Sequence, residues 1–242
     1  MLRRGYGPGV TLTRRIQGLL AARGIVVHRR GHVRFGSDPL LDLERLLPRV
    51  STILDVGANE GQMALPFARA FPEARVFAFE PVASTFSVLR ARTLEMPRIR
   101  CFEVALGAHE GEVTIRLAER SGQNSLLNAV PDQGGAGTAT VRVTTGDAWA
   151  SANGVEEVDV LKVDTEGYDL EVLAGFEGLI AGGSVQSVLV ECEFDRVRPE
   201  PHTSFFELYE HLTARGLGFT TLYTDSVSSN RFAWGNALFV RR

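Results

Sequence analysis

Short apolar runs alternate with amphipathic stretches along the chain from residue 52 onward. The runs are rich in β-branched and aromatic residues, and most of the stretches between them repeat apolar positions at helical spacing. Buried strands that alternate with helices are typical of a parallel sheet covered on both faces. The predicted strands are TILDVG, RVFAFEP, IRCFEVALG, VDVLKVD, VQSVLVECEF, FTTLY and NALFVRR, and the predicted helices are 61–70, 83–94, 168–180 and 204–215. The last run follows its predecessor without a helix, which predicts one antiparallel strand near the end.

Two segments depart from this alternation. Residues 1–37 contain an amphipathic helix over 11–23 and carry eight arginines but no Asp, Glu or Lys. Residues 107–157 separate the third and fourth predicted strands, and a connection of this length is usually a functional insertion. It holds two strand-like runs, so an added β-hairpin at a sheet edge is the alternative. We therefore predict a basic segment, 1–37, that forms a lid or a subunit interface, and a main domain, 38–242, with an insertion at 107–157.

Composition is that of an ordinary globular protein. The 242 residues are 44% hydrophobic and 23% charged, which allows one α/β domain with a large core. The net charge of −3 means that the molecule as a whole lacks the excess positive charge typical of nucleic-acid-binding proteins. Cys101 and Cys192 lie within apolar runs, so we expect buried thiols. No apolar run approaches the ~18 residues of a membrane span, and no signal-peptide pattern is present, so we expect a cytoplasmic protein.

A turn with two glycines follows the first predicted strand, in ILDVGANEGQ at residues 53–62. Gly57 and Gly61 allow the backbone to approach a ligand closely. Glu80 closes the next strand, and an acidic residue about 20 positions after such a turn can accept hydrogen bonds from ribose hydroxyls. The pair predicts a nucleoside held at the carboxyl ends of the first two strands.

The turn lacks the features of a dinucleotide site. Such a site needs the pattern G-x-G-x-x-G, whereas this chain has two glycines in Gly57-Ala58-Asn59-Glu60-Gly61. Asp55 and Glu60 would repel a pyrophosphate, and they suit the ammonium and sulfonium of S-adenosylmethionine. We therefore expect that cofactor rather than a nicotinamide.

The same motifs carry a resemblance to a known family. ILDVGANEGQ, VFAFEP, EVALG and VDVLKVDTEGYDLEVLAG occur in this order within residues 50–195 and resemble the FkbM family of S-adenosylmethionine-dependent methyltransferases. The resemblance implies a Rossmann-like α/β class I fold, with strand order 3-2-1-4-5-7-6, strand 7 antiparallel and helices on both faces. It also implies methyl transfer to a hydroxyl. This chain departs from the family pattern at Gly146, which precedes Asp147, and at Thr165 and Asp169.

The resemblance assigns cofactor contacts by position. The turn after the first strand should frame the methionine moiety, Glu80 should hold the ribose, and the segment from Glu103 to Ala105 should flank the adenine. The turn at Gln123-Asn124-Ser125 lies in the insertion and either bonds a ligand or forms a plain polar turn. The predicted cofactor-binding residues are Asp55, Gly57, Ala58, Asn59, Gly61, Glu80, Glu103, Ala105, Ser125 and Asp164.

Acidic residues end the fourth and fifth strands, which are neighbours in this fold. Asp164 and Glu166 should therefore face Glu191 or Glu193 across the cleft. Lys162, the only lysine against 25 arginines, shares a strand face with Asp164. Its ammonium would repel a dication, so we expect a metal-free site in which Lys162 orients a carboxylate and Asp164 or Glu166 takes the proton. The alternative is Mg²⁺ held by Asp164 and Glu191; the predicted catalytic residues are Asp164, Glu166, Lys162 and Glu191.

These observations predict an O-methyltransferase that acts on a small molecule, such as a sugar, glycolipid or polyketide natural product. An N-methyltransferase of the same fold is one alternative. A non-catalytic nucleoside-binding scaffold is another, although a scaffold needs no acidic residues on two neighbouring strands. The expected partners are a small-molecule acceptor and a second copy in a homodimer, without nucleic acid.

Overall fold

A computed structural model describes residues 33–117, 137–194, 202–228 and 231–242. The helices are α1 (Pro39–Leu46), α2 (Ala64–Ala70), α3 (Ala83–Thr93), α4 (Gly146–Asn153), α5 (Asp169–Gly175), α6 (Glu177–Ala181) and α7 (Phe205–Thr213). The strands are β1 (Thr52–Val56), β2 (Arg75–Phe79), β3 (Ile99–Phe102), β4 (Ala105–Leu106), β5 (Gly111–Leu117), β6 (Gly137–Thr144), β7 (Val160–Val163), β8 (Ser187–Glu193), β9 (Leu217–Ser228) and β10 (Arg231–Arg241). The helix predicted over 11–23 and the Gln123-Asn124-Ser125 turn lie outside the described residues.

The main sheet has seven strands in the order β3-β2-β1-β7-β8-β10-β9. Strands β3, β2, β1, β7 and β8 pair in parallel, whereas β10 runs antiparallel to both β8 and β9. Numbered within this sheet alone, the order is 3-2-1-4-5-7-6 with an antiparallel strand 7. The predicted fold class is therefore confirmed, including the position of the antiparallel strand.

The core lies on both faces of this sheet because consecutive strand residues point to opposite sides. In β1, Leu54 packs in a cluster with Phe77 and Val163, whereas Ile53 joins a second cluster with Phe67. All five residues of β1 are buried, which explains why this strand reads as a continuous apolar run rather than an alternating one. None of the described helices has the length and apolar character needed to cross a membrane.

Helix α1 begins at an Asp-Pro pair, Asp38 and Pro39. The carboxylate of Asp38 accepts hydrogen bonds from the amides of Leu40 (2.9 Å) and Leu41 (3.2 Å), and Pro39 occupies the first turn. Both features favour a helix N-terminus, since the carboxylate satisfies amides that have no partner within the helix.

Two predicted elements are each divided in the structure. The run IRCFEVALG forms β3 and then β4, and β4 pairs with β6 in a second sheet. The helix predicted over 168–180 is interrupted at Phe176, a fully buried residue outside helical geometry. A Cβ at Gly146 would overlap the Phe176 ring, so the glycine that departs from the family pattern makes room for this side chain. Periodicity within one segment does not report such contacts between segments.

Two strands of the insertion, β5 and β6, form a separate three-stranded sheet with β4, in the order β4-β6-β5, and α4 follows this insertion sheet. Its two strand-like runs are indeed strands, β5 and β6, which form an antiparallel pair. Trp149 of α4 packs edge-on against Phe77, Phe79 and Phe102, at centroid distances of 5.1, 4.7 and 5.1 Å. These aromatic contacts attach the insertion to the main sheet, and each buried ring contributes roughly 1.5–3 kcal/mol.

Candidate cofactor and active site

A cavity of about 250 Å³ opens at the carboxyl ends of β1, β2 and β7. Loops that leave parallel strands meet there, which makes this edge the usual ligand site of doubly wound folds. The loop after β1 supplies one wall, Val104 to Leu106 and Ile115 of the insertion sheet supply another, and the loop after β7 supplies a third. The predicted residues that line the cavity are Gly57, Ala58, Asn59, Glu80, Ala105, Lys162, Asp164 and Glu166.

The loop after β1 and the loop after β7 pass so close to each other at position 57 that only glycine fits there. Its φ of +76° lies in the left-handed region, and a Cβ would overlap the backbone carbonyl of Asp164. The amides of Gly57 and Ala58 both donate to the carbonyl of Phe79, at 3.1 and 2.9 Å. The close neighbour of this glycine is thus the loop after β7, and the tight turn brings the ends of three strands together beside the cavity.

Glu80 is the acid that the sequence assigns to a ribose. Its side chain is buried, with Oε1 accepting from the amide of Val82 (2.9 Å) and Oε2 from the amide of Asn59 (3.1 Å). Burial raises the pKa of Glu80 to about 7, and the two amide hydrogen bonds oppose that shift. The carboxylate is therefore held rigidly at the cavity wall, where its remaining lone pairs can accept from ligand hydroxyls.

Asn59 provides a second sign that a polar ligand belongs here. Its φ is +47°, a left-handed conformation that asparagine tolerates better than most residues. The side-chain oxygen Oδ1 is buried and has no hydrogen-bond partner among the described residues. Since buried polar atoms are normally satisfied, a donor on a bound ligand is the natural partner. The rigid carboxylate of Glu80 and this unpaired oxygen fit the ribose and amino groups of an S-adenosyl cofactor.

The raised pKa of Glu80 predicts that cofactor affinity depends on pH. With Glu80 as the ribose anchor, ribose hydroxyls would donate to the ionised carboxylate, so protonation of Glu80 in the free protein would compete with binding. We expect the Kd for S-adenosylhomocysteine to be constant above about pH 7 and to rise by up to about tenfold per unit below it. Calorimetric titrations from about pH 5.5 to 8 measure this, with Glu80→Gln as the variant that cannot titrate. A flat wild-type profile would contradict the assignment.

Lys162 lies at the wall of the cavity and contacts residues at the ends of both β1 and β7. Its Nζ lies 3.3 Å from Asp55 Oδ1 and 3.2 Å from Asp164 Oδ2, and it donates to the carbonyl of Gly57 at 3.3 Å. Burial acts to lower the pKa of Lys162, but the carboxylates of Asp164 and Asp55 outweigh it, so the pKa is raised. Lys162 is therefore a buried cation between two carboxylates, of which only Asp164 is partly exposed, at 35%.

Several predicted contacts lie away from the cavity surface. Asp55 is fully buried against Lys162, and burial raises its pKa. Its charge faces the ammonium, so the predicted direct contact between Asp55 and the cofactor is not supported by this geometry. Gly61 is buried beside Leu89, and Glu103 is exposed on the far side of Val104, where it borders a separate cavity. Ser125 lies outside the described residues, and its role stays a prediction.

The acidic residues after β7 and on β8 form a second group. Ligand atoms of Glu166, Glu191 and His202 all lie within 4.8 Å of one another. Asp164 does not belong to this group, and Glu193 is buried, so Glu191 is the β8 carboxylate that meets the loop after β7. His202 could not be predicted from the sequence, because it lies between a strand and a helix, where periodicity carries no information. No motif in the sequence around His202 marks it as a ligand.

Comparison with known proteins agrees with this architecture. Residues 55–220 match the family described as the methyltransferase FkbM domain. The 2-O-methyltransferase NoeI of Sinorhizobium fredii is 27% identical over 136 residues, which are 51% of this chain and 56% of that protein. The hexuronic acid methyltransferase AglP of Haloferax volcanii is 30% identical over 138 residues, 57% of this chain and 54% of that protein. The chain thus spans little more than half the length of these relatives.

The solved structures show the same fold at low sequence identity. Magnesium protoporphyrin IX methyltransferase from Synechocystis, with bound S-adenosylmethionine, superposes with a TM-score of 0.50 at 12% identity, over 99% of this chain and 87% of that one. The fold is that of the class I, S-adenosylmethionine-dependent methyltransferases. Because the family match covers more than half of the sequence, the chain belongs to the FkbM methyltransferase family.

Proposed function

We propose that this protein transfers a methyl group from S-adenosylmethionine to a hydroxyl of a small molecule, with sugars and polyketides as the acceptor classes. The main support for the proposal is the position of Asp164. Its half-buried carboxylate lines the cofactor cavity and pairs with the buried ammonium of Lys162. It combines access to the cavity with a fixed orientation, as a proton acceptor requires.

Residues for binding each part of the cofactor can be named. Glu80 would accept from the ribose hydroxyls, the loop from Gly57 to Asn59 would contact the methionine moiety, and Ala105 would pack against the adenine. When bound, S-adenosylmethionine supplies a methyl group on a positively charged sulfur, and its transfer to an acceptor oxygen leaves S-adenosylhomocysteine. The chain contributes alignment, which alone supplies much of the rate in such reactions.

Asp164 would take the hydroxyl proton as the new carbon–oxygen bond forms. Lys162 does not reach the acceptor itself, since its ammonium is already engaged by two carboxylates and a carbonyl. It acts as a positioning residue that fixes the Asp164 carboxylate at the cavity wall. The proposal thus keeps for Lys162 the orienting role that the sequence predicts.

The proposed acceptor class is supported by the names of the relatives and by the segments of the chain that do not form the cofactor site. Of the two relatives named above, one is named a 2-O-methyltransferase, which supports a hydroxyl acceptor, and the other a hexuronic acid methyltransferase, which supports a sugar acid. The segment 1–37 and the insertion at 107–157 are the parts of the chain free to shape an acceptor pocket, because the main sheet is committed to the cofactor. We extend the proposal to segment 1–37 as a lid or a homodimer contact.

An acceptor panel with deuterium-labelled S-adenosylmethionine tests the function. The panel contains a hexuronic acid glycoside, a neutral hexose glycoside, a hydroxylated polyketide and an amino sugar, and mass spectrometry locates the labelled methyl group. We expect methyl ethers, and we expect Asp164→Asn to lower turnover by about a hundredfold while cofactor affinity changes little. Glu171→Gln removes an exposed carboxylate from α5 and serves as the matched control. Methylation confined to the amine, or full activity in Asp164→Asn, would refute the proposal.

A further inference from the structure

Three side chains from separate segments meet at the edge of the cofactor cavity. Glu166 comes from the loop after β7, Glu191 from β8, and His202 from the segment before α7. All three are half-buried, and Glu166 also lines the cavity. Two carboxylate oxygens and one imidazole nitrogen make a three-ligand set that leaves coordination positions for water or substrate.

We propose that Glu166, Glu191 and His202 bind a divalent transition-metal ion, of the Mn²⁺, Fe²⁺ or Zn²⁺ type, beside the cofactor cavity. An ion at this place would orient an acceptor hydroxyl and lower its pKa, while its proton still passes to Asp164. The inference deepens the proposed function and rests on it for the identity of the acceptor, but the metal site itself does not depend on any acceptor.

Buried hydrogen bonds fix the segments that carry these ligands. The carboxylate of Asp169 accepts from the amide and the hydroxyl of Thr165 (both 2.9 Å) and from the hydroxyl of Thr203 (2.8 Å). The carbonyl of Thr203 accepts from the amide of Glu193 at the end of β8 (3.0 Å). Asp169 and Thr203 therefore hold the Glu166 loop and the His202 segment to each other and to β8, as groups around a metal site do. Thr165 and Asp169, two departures from the family pattern, bond to each other.

The position of Lys162 removes the reason to expect a metal-free site. Its ammonium pairs with Asp55 and Asp164, and neither residue belongs to the three-ligand group. The two arrangements use different carboxylates and do not compete for the same negative charge. The imidazole favours Mn²⁺, Fe²⁺ or Zn²⁺ over the all-oxygen surroundings that suit Mg²⁺. The proposal thus replaces both the expected metal-free site and its alternative, Mg²⁺ held by Asp164 and Glu191, with a set that shares only Glu191 with that pair.

Direct metal titration tests the site without an acceptor. The metal-stripped full chain is titrated with MnCl₂, and electron paramagnetic resonance measures free Mn²⁺. We expect one ion per chain, and a loss of affinity of about a hundredfold in both Glu191→Gln and His202→Ala. Glu207→Gln, which removes an exposed carboxylate from α7, should bind like the wild type. Binding of S-adenosylhomocysteine reports that each variant is folded.

Thr203 distinguishes a built metal site from chance proximity. Thr203→Val removes the hydroxyl at nearly constant shape, and we expect it to weaken Mn²⁺ binding by about tenfold, with Thr203→Ser restoring the affinity. Absence of stoichiometric Mn²⁺ binding by the wild type, or wild-type affinity in both ligand variants, overturns the site. A chain that binds Mn²⁺ as expected but methylates no hydroxyl refutes the proposed function instead and leaves the metal site standing.

Discussion

Alanine in place of Glu80 should weaken the binding of S-adenosylhomocysteine by about a hundredfold. A hydrogen bond to a charged acceptor contributes roughly 1.5–3 kcal/mol, and each 1.4 kcal/mol is about a factor of ten in affinity. The loss of two ribose hydrogen bonds should therefore cost more binding free energy than the loss of any single apolar contact in the cavity. The fold should persist, because the amides of Asn59 and Val82 adjoin the cavity and water can take the place of the carboxylate. Calorimetric titration at about pH 8, above the pKa of Glu80, measures the effect.

Glu60→Ala is the matched control for this experiment. Glu60 lies one residue beyond Asn59, but it pairs with Arg92 at the surface (3.2 Å) and does not line the cavity. An exposed ion pair of this kind contributes only about 0–1 kcal/mol, so this variant should bind the cofactor product normally. Equal affinities for a folded Glu80→Ala protein and the wild type would rule out Glu80 as the ribose anchor.

Replacing Lys162 by methionine should lower the free energy of unfolding by about 3–5 kcal/mol. The substitution leaves the buried carboxylate of Asp55 without its cation, and removal of one partner of a buried pair costs about that much. It also frees Asp164, so methyl transfer should fall along with stability. Denaturant unfolding measures the first effect, and Arg92→Met, which breaks the surface pair with Glu60, is the control that should change stability by less than about 1 kcal/mol.

The double variant Asp55→Asn/Lys162→Met separates the electrostatic cause from simple loss of packing. If the unpaired carboxylate is responsible, neutralising Asp55 should restore part of the lost stability, and the two substitutions should be non-additive by about 1–3 kcal/mol. Additive effects would mean that the ammonium and Asp55 are not coupled. Such a result would assign the lost stability of Lys162→Met to packing rather than to the charge of Asp55.

The strands and helices of the main sheet could be predicted from the sequence. Apolar runs at strand length, the helices between them and the missing helix before the last strand all follow from local periodicity, and the family motifs added the strand order. The Gly57 turn and Glu80 were found in the same way, because a ligand-binding turn and its acidic partner have a fixed spacing along the chain. Both line the cavity in the structure, as does Asn59.

The contacts between charged groups depend on how the loops are arranged in three dimensions. Lys162 bonds to the carbonyl of Gly57, 105 positions earlier in the chain, and pairs with Asp55 as well as with Asp164. His202 joins Glu166 and Glu191 only because its segment is tied to the loop after β7 through Thr203 and Asp169. Periodicity shows which face of an element is buried, but it does not give the distance between loops that leave different strands. That distance decides whether a carboxylate contacts a cofactor, an ammonium or a metal ion.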